Sequence, residues 1–169
     1  MQHLLASGAD AHAMPNKGFT SLMIASQNGH DQVVQCLLSS GAKVDAALPD
    51  GSTALFLASE KGHAKVVKTL LAAGAPVNAA ADDGFNSLIG AAQNGYPDIV
   101  ELLLTHGAEV NHTLSRQGRT FTAATTTLLN GHLPCLRLLF KAGADLTIGS
   151  PSTFESATGP HASLSLIHI

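Results

Sequence analysis

A Gly-Ala pair recurs at Gly8-Ala9, Gly41-Ala42, Gly74-Ala75 and Gly107-Ala108, each 33 residues after the last, and again at Gly143-Ala144, 36 residues further on. Self-similarity at a fixed period of roughly 20 to 50 residues marks a row of stacked supersecondary units rather than a chain wound round one core. Ahead of four of the pairs run Val33-Val34-Gln35-Cys36-Leu37-Leu38, Val66-Val67-Lys68-Thr69-Leu70-Leu71, Ile99-Val100-Glu101-Leu102-Leu103-Leu104 and Cys135-Leu136-Arg137-Leu138-Leu139-Phe140. His3-Leu4-Leu5 precedes the first. Apolar residues at i, i+1, i+4 and i+5 lie on one face of a helix.

Two further sets of glycines keep the same beat, Gly18, Gly51 and Gly84, then Gly29, Gly62 and Gly95. Each unit therefore reads turn, short helix, turn, short helix. Gly29, Gly62, Gly95 and Gly131 fall where the first helix needs a left-handed residue to end it. Pro97 and Pro134 fall at the start of the second helix, where a missing N–H does no harm. Helices this short are marginal alone, since isolated ones need about 12 to 15 residues, so each must lean on its neighbours. The predicted organisation is a partial unit at 1–9, units at about 10–42, 43–75, 76–108 and 109–144, and an irregular or disordered tail at 147–169.

Composition agrees with close stacking: 45% of residues are apolar but only 4% aromatic, with no Trp, so Leu, Val, Ile and Ala must fill the interior. A formal charge of −3 without Lys/Arg clusters gives no field to gather phosphates, and nucleic acid is not an expected partner. Membrane insertion is not expected either, because no apolar run approaches a span of about 18 residues. Met1-Gln2-His3-Leu4-Leu5-Ala6 does not resemble a signal peptide, and the unpaired spacing of Cys36 and Cys135 suits a reducing compartment. The expectation is an intracellular, cytoplasmic protein, which makes the acceptor triplet Asn111-His112-Thr113 a chance match.

The candidate chemistry dissolves on spacing. His30, His63 and His132 share one repeat position, and helices packed about 8 to 10 Å apart cannot bring equivalent side chains within the roughly 2.0 to 2.1 Å of a common zinc ion. Each is expected to hydrogen bond near its own turn. Asp50, Asp82 and Asp83 precede turn glycines and read as turn residues. No catalytic residue, metal site or cofactor is predicted, and the chain is not expected to be an enzyme.

Gly18-Phe19-Thr20-Ser21-Leu22-Met23-Ile24-Ala25, Gly51-Ser52-Thr53-Ala54-Leu55-Phe56-Leu57-Ala58 and Gly84-Phe85-Asn86-Ser87-Leu88-Ile89-Gly90-Ala91, with the later Gly-His at His30, His63 and His132, resemble the ankyrin repeat over residues 1–146. The resemblance implies an all-α solenoid of stacked helix-turn-helix units with β-turn or hairpin fingers. It implies a non-catalytic module that binds a partner protein on its concave face and turn tips, or the substrate-recognition arm of a larger enzyme such as a kinase or ubiquitin ligase. By motif position the partner-binding residues would be Asn16, Lys17, Phe19, Gln27 and Asn28 in the first unit, and Pro49, Asp50, Ser52, Glu60 and Lys61 in the second. The third offers Asp82, Asp83, Phe85, Gln93 and Asn94, and the fourth Gln117 and Arg119. Asn78 and Asn111, each after a valine in a finger, would be hydroxylation candidates.

Departures from the motif carry expectations of their own. Ser21, Ala54 and Ser87 stand for its proline, and Met23, Phe56 and Ile89 for its histidine, so hydrogen bonding at those turns is expected to be reduced and the turns looser. The fourth unit has three extra residues and draws its first helix from Thr120-Phe121-Thr122-Ala123-Ala124-Thr125-Thr126-Thr127-Leu128-Leu129, where five threonines are mediocre helix formers. The closing Ser163-Leu164-Ser165-Leu166-Ile167-His168-Ile169 resembles translated adaptor read-through and is expected to be foreign to the native chain.

Overall fold

A computed structural model describes residues 18–148. The partial first unit, Asn16, Lys17 and the tail expected to be irregular lie outside the described residues. Within them the chain forms four helix pairs: α1 Ser21–Gln27 with α2 Asp31–Ser39, α3 Ala54–Glu60 with α4 Ala64–Ala72, α5 Ser87–Gln93 with α6 Pro97–Thr105, and α7 Ala123–Asn130 with α8 Leu133–Lys141. Between α6 and α7 stands an antiparallel hairpin, β1 Thr113–Arg116 and β2 Arg119–Thr122. First helices pack on first helices and second on second, which is the stacking the period requires.

The first helices are largely buried: α5, between α3 and α7, leaves only Gln93 partly exposed, while Ile24 in α1 and Leu129 in α7 are exposed. Second helices bury one stripe, Val66, Val67, Leu70 and Leu71 in α4 and Ile99, Val100 and Leu103 in α6. Leu55, Leu70, Leu88, Ile89, Ile99, Leu103 and Leu139 are wholly enclosed, each contributing about 1.5 to 3 kcal/mol of transfer free energy to a continuous core.

Local chemistry fixes where each first helix begins. Thr20 Oγ1 accepts the Met23 N–H at 3.2 Å, Thr53 Oγ1 the Phe56 N–H at 3.2 Å, and Asn86 Oδ1 the Ile89 N–H at 3.0 Å. Half of the capping box therefore survives the motif's departures. The reciprocal half is a weak one in α1, where the Thr20 N–H donates to Met23 Sδ at 3.5 Å. Phe56 and Ile89 carry no acceptor to supply it. Each first helix ends in the same wrap: in α1, Gly29 N–H reaches the Ser26 carbonyl and His30 N–H the Ala25 carbonyl, with Gly29 at φ +73°.

The fourth unit is more regular than its sequence suggests. Nine positions separate the helix cap from the closing glycine in every unit, Thr20 to Gly29, Thr53 to Gly62, Asn86 to Gly95 and Thr122 to Gly131, so all three extra residues fall in the finger. There they lengthen an isolated bridge such as Ala80–Asn86 into the β1–β2 ladder. Gln117 (φ 53°) and Gly118 (φ 72°) turn it, both with the positive φ that a two-residue hairpin of type I′ requires. The threonines are spent on hydrogen bonds. Thr122 and Thr125 form a complete capping box, while Thr126 and Thr127 donate back to the carbonyls of Thr122 and Ala123.

Side chains also stitch unit to unit. Asn78 donates to the Gly107 carbonyl and accepts the Glu109 N–H, and Asn111 repeats the pattern with Gly143 and Asp145. His63 Nε2 lies 2.9 Å from the Gln27 carbonyl of the preceding unit. That corrects the expectation of a bond within its own turn: a ring beginning a second helix faces the closed end of the helix before it, where a carbonyl lacks an intrahelical partner.

Candidate partner-binding surface

The expected positions form two rows. One follows the ends of the first helices, the other the finger tips. In the helix row, Gln27, Glu60 and Gln93 are half-buried and Asn28, Lys61 and Asn94 exposed. Neighbouring units hold the row in register, for Asn94 Nδ2 donates to the Glu60 carbonyl at 3.2 Å and Asn130 Nδ2 to the Gln93 carbonyl at 3.1 Å. Lys61 pairs with adjacent Glu60 at 3.2 Å, an exposed pair of small energetic weight. Asn28 folds back to the Ile24 carbonyl.

The finger row is tied by backbone bonds, Asp82 N–H to the Asp50 carbonyl at 3.0 Å and Ser115 N–H to the Asp83 carbonyl at 2.9 Å. Pro49, Asp50 and Asp82 are exposed at its tips, as are Gln117 and Arg119. The aspartates shape the turns as expected, Asp50 Oδ1 accepting the Ser52 N–H and Asp83 Oδ1 the Phe85 N–H, each at 2.9 Å. Phe19 is half-buried and packed on the core.

Two expected contact residues are enclosed rather than accessible. Phe85 is only 7% exposed: its ring meets Phe56 edge-on at 5.5 Å between centroids, and the Arg116 guanidinium covers it at 4.8 Å. Ser52, at the same motif position, is likewise 7% exposed. The residue after the turn glycine points back under the next finger, so its side chain is enclosed whenever that finger bears a covering group.

Arg116 does more than cover a ring. Its Nε donates to Asp83 Oδ2 at 3.0 Å, closing a Phe85–Arg116–Asp83 cluster between the third and fourth fingers. Partial burial of Asp83 opposes ionisation, but the Phe85 amide, the Arg116 hydrogen bond and its charge outweigh it and hold the carboxyl below its ordinary value.

Sequence reasoning passed over Leu129, Asn130 and Arg116. Leu129 is 45% exposed at the place held by Gln27, Glu60 and Gln93 in the other units. Counting back two residues from Gly131, as Gln27 lies two before Gly29, would have found it. Arg116 left no such trace because its partner sits 33 residues away on another finger.

Among the described residues no group of three or more His, Cys, Asp or Glu side chains is placed to hold a metal ion. Cys135 is buried, and burial pushes its thiol up, away from the reactive thiolate. No helix among the described residues is long and apolar enough to cross a membrane. The family model for ankyrin repeats matches the chain in three overlapping copies, at residues 1–81, 22–114 and 78–150. No curated protein matches it.

Proposed function

The chain belongs to the ankyrin-repeat family, whose repeats are protein–protein interaction modules, and from that premise we propose that it is a non-catalytic module holding a partner protein against the finger tips and the ends of its first helices. The observation that carries this reading is Leu129. A large apolar side chain, 45% exposed, ends a row whose other members, Gln27, Glu60 and Gln93, are polar and partly accessible. The fold buries most of the first helices, Ile24 at 41% exposed being an exception, so this row is most of what they leave for recognition. An apolar anchor bordered by a polar rim is the arrangement that a binding interface is built around.

Affinity capture with the full chain and a Leu129→Glu, Gln93→Lys double variant tests it. A protein retained by the wild type and lost by the variant, with the variant's circular dichroism unchanged, supports the reading. Equal retention by both would move the interface away from this row.

A further inference from the structure

The finger row changes sign along its length. Its second and third tips carry Asp50, Asp82 and Asp83, whereas the fourth carries Arg116 and Arg119 directly opposite each other across the hairpin. Residues so paired have Cβ atoms about 4.5 to 5.5 Å apart, and like charges in that position repel. Asp83 relieves only part of this, because its carboxylate is already divided, one oxygen on the Phe85 amide and the other on Arg116 Nε. Arg116 is committed to Asp83 and to the face of Phe85, whereas the guanidinium of Arg119 has no hydrogen-bonding or ionic partner among the described residues. Beside them lies an open cavity of about 530 Å³, lined by Ser115, Arg116, Gln117, Arg119 and Phe121.

We infer that this fingertip cavity is a carboxylate-binding site, which takes a Glu or Asp side chain from an acidic segment of the partner protein. The inference rests on the partner-binding reading above and names the chemistry of one part of that interface. A planar carboxylate matches the forked donors of Arg119, and it would supply that guanidinium with the counter-charge that Asp83 already gives Arg116. Ser115 and Gln117 offer neutral polar groups at the rim, and the half-buried Phe121 ring gives apolar surface to the methylenes of a glutamate. Nucleic acid fits less well. Two arginines followed along the row by Asp83, Asp82 and Asp50 make no continuous basic track for a phosphate backbone, whose binding needs several cations in line.

The site is tested by titrating the isotopically labelled full chain with a blocked ten-residue peptide of alternating Glu and Ser, following the Arg119 Nε–H and Gly118 amide signals. The expected result is a saturable shift at those two signals that weakens with added salt and is absent with a Ser-Gly peptide of equal length. Arg119→Gln is expected to weaken binding about tenfold, the loss of one charge-assisted bond at about 1.5 kcal/mol. Arg119→Lys keeps the charge but not the fork and falls between. Arg137→Gln, an equal charge change on the outer face of α8, leaves binding unchanged. Equal weakening by the Arg119 and Arg137 variants, shifts no larger than those with the neutral peptide, or preferential binding of a single-stranded oligonucleotide would each overturn the site. Loss of a captured protein by the Leu129 double variant but not by Arg119→Gln would remove the carboxylate site while leaving the partner-binding reading standing.

Discussion

The imidazole of His63 fills the space that the side chain missing from Gly29 would need: a Cβ built on Gly29 falls 2.6 Å from His63 Nδ1. Tyr96 stands in the same relation to Gly62 and His132 to Gly95, so each of these three units closes its first helix with a glycine that the next unit's ring covers. His63 cannot give way freely, because its Nε2 is engaged by the Gln27 carbonyl. Gly131, with the same left-handed backbone, has nothing within 4 Å among the described residues. Gly131→Ala is therefore expected to cost only the backbone penalty of about 1 to 2 kcal/mol, and Gly29→Ala about 1 to 3 kcal/mol more from overpacking. Urea denaturation of the single variants and of Gly29→Ala with His63→Ala checks this, the second change being expected to recover part of the extra loss.

Phe85 separates packing from recognition. With its ring held by Phe56 and Arg116, Phe85→Ala is expected to destabilise the fold by about 3 kcal/mol, the lower end of the range for a buried aromatic, and Phe85→Leu by clearly less. Chemical denaturation measures both. A stability near that of the wild type for Phe85→Ala would return the ring to the binding surface.

Among the described residues Gly90 is the one glycine placed inside a helix without needing its freedom. A Cβ there meets Glu60 and Phe56 at 3.7 Å, ordinary contact distance. Gly90→Ala is expected to stabilise the chain by about 0.5 to 1 kcal/mol, by restricting the unfolded chain and filling the interface between α3 and α5. A lower melting temperature for the variant would show that the interface has no room.

Asp83 makes the third and fourth fingers sensitive to acid. Its folded value lies below the ordinary 3.8, so its contribution is present above that pH and is lost as the pH falls through the folded value. The gap in melting temperature between the wild type and Asp83→Asn should be steady near neutrality and narrow below about pH 4. Thermal melts over that range decide it, and a gap that stays constant into strong acid would mean the Arg116 pair adds nothing.

Much of the fold was legible in the residues because its determinants lie close together in sequence. Gly29, Gly62, Gly95 and Gly131 announce left-handed helix ends through their own backbone needs, and Thr20, Thr53 and Asn86 cap helices three residues away. The expected partner rows were legible to the same degree, since counting from a glycine places Gln27, Glu60 and Gln93 alike.

The sequence by itself determined the repeat, the alternation of turns and helices, and the positions that the fold leaves unused, all of which follow from local preferences recurring at one period. Only the tertiary structure decided that Phe85 is packed and Leu129 exposed, that the fourth unit's extra residues build a hairpin, and that Arg116 and Arg119 share a tip beside a cavity. The burial of Phe85 depends on the Phe56 and Arg116 that neighbouring units bring alongside, about 30 positions away in the chain, where its own surroundings in sequence hold no record of them, while the hairpin and its paired arginines follow from the register the fourth finger adopts.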